Sequence, residues 1–303
     1  MKKIRIWVIL LALFLVGCQD SNVSASLDAD PIDLNVEQLY YNPINLSLIK
    51  FNPNGNTSEN ITEKETIVYD INNADNYFIK GNPIDHSFSL VKIDGTNLET
   101  IHEFTKGEDI YPIGYNNGEI YYIHSYYDGA EEDKDKRTIG LINIETKETE
   151  DIEAIKGLIS DGVVSPKNIY YTVFNNENNY HELHNKSIEA GEKSEAPELI
   201  SVGYDTKDLY LSKDLYNEKE IISLYASDHN KIYSKDESWP KYDENYFKTS
   251  AVIGINEGKD DTMELTFIDK RTREEINKLS DVVGIRFEGD TIDVATKSGA
   301  SKY

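Results

Sequence analysis

A single pattern recurs along this chain, and its spacing limits the architectures open to it. Leu90-x-x-Ile93-Asp94 followed by Glu99-x-Ile101 returns as Leu141-x-x-Ile144-Glu145 with Glu150-x-Ile152, and again as Leu265-x-x-Ile268-Asp269 with Glu274-x-Ile276. In all three copies the two isoleucines stand eight residues apart, and Leu48-x-x-Phe51-Asn52 with Glu59-x-Ile61 is a variant lengthened by two. An apolar run, a polar turn and a charged alternating run make the pattern of a β-hairpin. The third copy passes through Thr272-Arg273-Glu274-Glu275, so that stretch is expected to be a strand although its residues favour helices.

A tyrosine-centred triplet precedes the hairpins: Leu39-Tyr40-Tyr41, Tyr77-Phe78-Ile79, Ile120-Tyr121-Tyr122, Ile169-Tyr170-Tyr171 and Leu209-Tyr210-Leu211, with weaker echoes at Val252 and Asp293. The central residues of the five triplets are 38, 43, 49 and 40 positions apart. Four strand-like runs per unit of roughly 40–45 residues is the signature of β-propeller blades. Successive side chains of a strand point to opposite faces, so the members of each aromatic pair are expected to pack two different neighbouring sheets. Turn clusters such as Asn52-Pro53-Asn54-Gly55, Asp94-Gly95 and Asn116-Asn117-Gly118 punctuate the runs. Only Lys213 to Tyr225 and Arg271 to Leu279 offer anything like a helical period.

The expected fold is therefore all-β, a β-propeller of six four-stranded blades, or seven, closed by pairing of the amino- and carboxy-terminal strands. At roughly 42 residues per blade, residues 34–303 supply between six and seven. The two strands within Val282 to Thr296 are expected to complete a blade with the Leu39–Asp70 hairpin, which would hide an otherwise exposed edge. A shared blade favours six, and separate terminal blades give seven.

Composition narrows function by exclusion. Asp and Glu number 55 against 31 Lys and Arg, a net charge of −24, which argues against nucleic acid because neutralising phosphates takes clustered cations. One cysteine excludes a disulfide framework and a thiolate metal cluster. No Gly-x-Ser-x-Gly elbow, phosphate-cradling glycine loop or His-Glu-x-x-His helix is present, so no catalytic residue and no cofactor are assigned.

Residues 1–17 read as an export signal. Lys2, Lys3 and Arg5 precede an uncharged run from Ile6 to Val16, too short to span a bilayer of roughly 30 Å. Leu15-Val16-Gly17-Cys18 resembles the lipobox of bacterial lipoproteins. That resemblance implies a diacylglyceryl group on Cys18, cleavage before it, and anchoring at the outer face of the cytoplasmic membrane in a Gram-positive-type envelope. Residues 18–33 then form the lipidated cysteine and a polar tether reaching about 20 Å, and residues 34–303 the propeller domain. Losing three cations and no acids with the leader takes the charge to −27. Within the domain, Ile-Tyr-Tyr, a polar loop and Leu90-x-x-Ile93-Asp94-Gly95-Thr96-Asn97-Leu98 resemble blades of bacterial TolB-like and YWTD-like propellers, most closely over Asn76 to Phe104. These motifs are structural and imply a fold, not a ligand.

Two surface features are candidate sites. Tyr233, Trp239, Tyr242 and Tyr246 cluster amid Lys and Asp and suit recognition of a protein or glycan. Asp128, Glu131, Glu132, Asp133 and Asp135 lengthen one repeat and are hard-oxygen candidates for a cation, without EF-hand spacing. His181-Glu182-Leu183-His184, if on a strand, splits its histidines between two faces and does not gather them on one metal. The expectation is a lipid-anchored binding or scaffolding module for an envelope protein or other extracellular ligand, biased toward cationic partners. A propeller-borne hydrolase or lyase of extracellular glycans is the alternative. A transporter's solute-binding lipoprotein is the second, and it would need long amphipathic helices that this chain lacks.

Overall fold

The computed structural model describes residues 30–32, 37–52, 54, 56–71, 73–126, 136–175, 177, 180–188, 201–203, 209–216, 219–226, 231–234, 242, 244–247, 251–269, 272, 274–289 and 291–303. All regular structure among them is β, and every strand pairing is antiparallel. In chain order the strands are β1 (Asp30–Pro31), β2 (Gln38–Asn42), β3 (Ser47–Asn52) and β4 (Thr57–Asn60). A four-stranded meander follows, β5 (Ile67–Asp70), β6 (Tyr77–Asn82), β7 (Ser87–Asp94) and β8 (Asn97–Glu103). The next is β9 (Glu108–Asn116), β10 (Glu119–Tyr126), β11 (Lys136–Asn143) and β12 (Thr149–Lys156), and the third is β13 (Leu158–Val164), β14 (Asn168–Asn175), β15 (Tyr180–Ser187) and β16 (Ser201–Gly203). A three-stranded sheet holds β17 (Leu209–Tyr216), β18 (Lys219–Ala226) and β19 (Lys231–Ser234). β20 (Glu244–Phe247), β21 (Ala251–Glu257), β22 (Met263–Asp269), β23 (Glu275–Glu288), β24 (Thr291–Thr296) and β25 (Gly299–Lys302) join β1 to β4 in a ten-stranded sheet.

The repeats map onto this plan. The triplets at Tyr77, Ile120 and Ile169 lie on the second strands of the meanders, and the recurring hairpin is β7–β8, β11–β12 and β22–β23, with β3–β4 as the lengthened copy. Of the two stretches with a hint of helical period, the described residues of the first are strand. In the second the strand begins only at Glu275: Thr272 lies in a turn and Glu274 precedes the strand, so the strand expected across Thr272–Glu275 is a turn leading into one. Lys213 pairs with Ile222 across β17 and β18, and Glu275 with Ile268 across β23 and β22. Ladder pairing overrides helix propensity there.

Each aromatic pair works in two directions. Tyr121 packs with Val164, Ile169 and Tyr171 of the following meander, whereas Tyr122 packs with Ile79, Leu90 and Phe104 of the preceding one. The Tyr122 and Phe104 rings meet edge to face at 5.0 Å. Tyr40 lies against Phe51, Val283 and Ala295, and Tyr41 against Phe78 and Val91, with its hydroxyl donating to the Val68 carbonyl at 3.1 Å. Burial pushes the Tyr40 hydroxyl up to about 12. Each ring buried this way is worth about 1.5–3 kcal/mol by area.

First strands of consecutive meanders run side by side. Gly114 of β9 faces Val164 of β13, and Gly162 of β13 faces Ile113, where a Cβ on Gly162 would come within 2.9 Å of the isoleucine Cγ2. Beyond β13, Asp161 reaches β17: its carboxylate accepts the Leu211 amide at 2.5 Å and the Gly162 amide at 2.7 Å. Burial pushes this carboxyl up to about 7 from an ordinary 3.8, against the opposing effect of the two amide donors.

The chain ends are tied by several contacts. Asp30 pairs with Lys302, Tyr41 with Ile285, and the Asn42 side-chain amide donates to the Val283 carbonyl at 3.4 Å. Arg286 meets the buried Asp293 at 2.6 Å, and Lys302 meets Glu288 at 2.6 Å, so cross-strand charge pairs span β23, β24 and β25.

Because the native pKa of Asp161 lies above its unfolded value, its ionisation opposes folding. The stability it permits is full below about pH 4 and is lost as pH rises toward 7. Asp161→Asn should be less stable overall by about 1–3 kcal/mol, since one amide donor loses its acceptor. Urea denaturation across that window should nonetheless show a smaller loss of stability with rising pH in the variant than in the parent.

Candidate functional site

A cleft of about 370 Å³ opens beside the first strands of two meanders, lined by Tyr69, Pro83, Asp109, Tyr111, Ser125 and Arg137 among others. The β6–β7 turn builds one wall. Asn82 accepts the Ile84 amide at 2.8 Å, Ser87 donates to Asp85 at 2.5 Å, and His86 adopts a φ of +51°. The turn is then fastened to the start of β9: the His86 carbonyl accepts the Gly107 amide at 2.9 Å, and the His86 ring hydrogen-bonds Asp109 at 2.6 Å.

Alternation along β9 does the rest. Ile110 is buried, while Asp109 and Tyr111 face the cleft, opposite Ser125 and Ile123 of β10. The rings of Tyr69 and Tyr111 meet at 5.5 Å and 66°. Burial and the nearby Asp109 charge both raise the Tyr69 hydroxyl above its ordinary range. Tyr111 is 42% exposed. The arrangement offers two aromatic faces, one carboxylate and a guanidinium within one polar–apolar hollow, of a size that takes a small ligand or a few side chains.

The other exposed large apolar residues lie toward the same end of the sheets. Among the described residues these are Ile61, Ile84 and Leu158. Ile61 follows β4 and precedes β5, Ile84 sits in the β6–β7 turn, and Leu158 opens β13. In an antiparallel meander, the connection into the first strand and the turn after the second fall at one end. The opposite end closes over a cavity of only about 30 Å³ beneath Asp70, Asn76, Tyr246 and Arg286, with room for little more than water.

The sequence-derived candidates divide. Cys18, Trp239 and the acidic residues Asp128, Glu131, Glu132, Asp133 and Asp135 lie outside the described residues. Tyr233 is on β19, with its side chain outside the described part. Tyr242 is half-buried with its ring laid on Gly254, and Tyr246 is buried, its ring 4.7 Å from Phe287 in the core of the terminal sheet. Residues 127–135 connect β10 to β11, and Ser125 and Arg137 on either side of them line the cleft.

Away from the cleft, the His124 ring meets Asp151 at 3.0 Å and the His184 ring meets Glu182 at 3.2 Å. His181 and His184 lie on β15 and pair across the ladder with Phe174 and Tyr171 respectively, His184 stacking at 5.4 Å and 10°. Burial lowers His181 and His102 below the ordinary histidine range. Among the described residues, no three His, Cys, Asp or Glu side chains are grouped to hold a metal ion.

Sequence reasoning missed the cleft, because Tyr69, Asp109 and Tyr111 come from strands of ordinary composition and meet only through inter-sheet packing.

No protein-family model matches the chain, and no curated protein matches it. Solved structures of similar shape include TolB from Acinetobacter baumannii, at 14% identity and a TM-score of 0.43 over 80% of this chain and 64% of that one. A putative 6-phosphogluconolactonase from Bacteroides uniformis aligns at 12% identity and a TM-score of 0.45 over 86% of this chain and 88% of its own. A prolyl endopeptidase aligns at 8% identity and 0.41 over 76% of this chain, which spans only 39% of the endopeptidase. None of these likenesses bears on what this chain binds.

Substitutions separate the cleft from the packing. Tyr111→Ala should cost less than about 1 kcal/mol in urea denaturation, whereas Tyr122→Ala, one sheet face away, should cost about 3–5 kcal/mol.

Proposed function

We propose that this chain is a lipid-anchored binding module, a propeller held outside the cytoplasmic membrane through Cys18, whose cleft end docks a partner. The carrying observation is the coincidence of the Tyr69–Tyr111–Asp109 cleft with Ile61, Ile84, Tyr111 and Leu158, the exposed large apolar residues among those described. Exposed apolar groups lying toward the end of the sheets that also holds a hollow favour an interaction surface there.

The propeller in this reading has seven units. Five follow one another between residues 67 and 280: β5–β8, β9–β12, β13–β16, β17–β19, and β20–β22 with the first half of β23. The second half of β23 with β24, β25 and β1 is a sixth, and β2–β4 a seventh. The β1–β25 ladder and the Tyr41–Ile285 bridge support closure by both chain ends. In the sixth unit, β1 runs antiparallel to β25 and so toward the cleft end.

Fractionation of a bacterium expressing the chain tests the anchor: the parent should sediment with membranes and Cys18→Ser should appear in the soluble fraction. A photo-crosslinking amino acid at Tyr111 should yield discrete adducts in the envelope, and one at the exposed Glu99 should not. Soluble parent protein, or adducts at both positions alike, would contradict the reading.

A further inference from the structure

We infer that the Tyr69–Tyr111–Asp109 cleft takes a basic side chain, lysine or arginine, from an extended segment of a partner protein. This rests on the binding reading above and names the class of ligand for the same site. Asp109 presents a carboxylate whose side chain is 44% exposed, anchored through one oxygen by His86. Two tyrosine rings stand next to it at 66° to one another. A cation entering beside Asp109 meets the faces of these rings, and cation–π attraction adds to the charge pair. Ser125 on β10 offers a hydroxyl that suits a carbonyl of an extended backbone, while Arg137, the cleft's other described charged side chain, is engaged with a partner of its own.

The surroundings favour a cation over the alternatives. The whole chain carries −24. A basic segment would be steered toward the chain by the overall field and held by the local pair. A neutral glycan would use the rings but gain nothing from the charge.

The test uses the full chain in detergent, titrated by fluorescence anisotropy with three labelled probes: an extended peptide of alternating Lys and Gly, the matched Glu and Gly peptide, and an N-acetylglucosamine oligomer. The Lys peptide should bind, weaken with added salt, and outcompete the other two. Asp109→Asn and Tyr111→Ala should each weaken it by about fivefold or more. Glu99→Gln, which removes the same charge from an exposed strand remote from the cleft, should leave it unchanged. Equal affinity across all variants would show attraction by net charge alone and overturn the inference, as would preference for the oligosaccharide. If the Lys peptide fails while crosslinking from position 111 persists, the basic-ligand inference falls and the binding module stands. If crosslinking fails as well, the binding reading falls with it.

Discussion

A strand buried on both faces must present apolar groups in two directions at once, and the tyrosine pairs meet that demand. Tyr121 and Tyr122 differ by one position and so belong to different cores, one shared with the meander after theirs and one with the meander before. Tyr40 and Tyr41 do the same between the terminal sheet and the β5–β8 meander. A sheet of four strands has little core of its own. Its stability comes from being pressed between neighbours, which is why the tyrosine repeat recurs at the period of the sheets. The close approach of Gly114 to Val164 and of Gly162 to Ile113 follows from that pressing, and so does the burial of Asp161, whose carboxylate links β13 to β17 where side-chain packing alone would leave two amides without acceptors.

Inter-sheet packing also makes the cleft. Tyr69 belongs to one meander and Tyr111 to the next, and they touch only because β5 and β9 are held next to each other. The His86–Asp109 bond is another tie between the same two sheets, placed at the rim. Recognition at this end thus costs the fold little: the groups that would meet a ligand are those left over where two sheets meet.

Much of the fold was legible in the chain. The eight-residue interval of the Leu-x-x-Ile hairpin and the tyrosine triplets correspond to observed elements, as does the split of the aromatic pairs between two cores. The strand expected from Thr272 begins at Glu275, after a turn. The second strand of each full meander carries the triplet, and the neighbouring sheets cover both of its faces, as the split of Tyr121 and Tyr122 between two cores shows. The cleft was not legible, since Asp109 and Tyr111 look like any alternating pair until the register with Ser125 and Ile123 sets which face they share. The aromatic cluster ending at Tyr246 stood out by composition, yet Tyr246 is turned into the terminal sheet against Phe287. Composition identifies aromatic groups; only packing tells whether they face a core or a solvent-filled hollow.

The central claim is that neighbouring sheets stabilise one another through these rings, and a double-mutant cycle on Tyr122 and Phe104, 5.0 Å apart across one sheet boundary, tests it most directly. Unfolding free energies of the parent, Tyr122→Leu, Phe104→Leu and the double variant should reveal a coupling of about 0.5–1.5 kcal/mol. Strict additivity, within about 0.3 kcal/mol, would mean that the two sheets do not support each other through these rings, and the account would fail at its foundation.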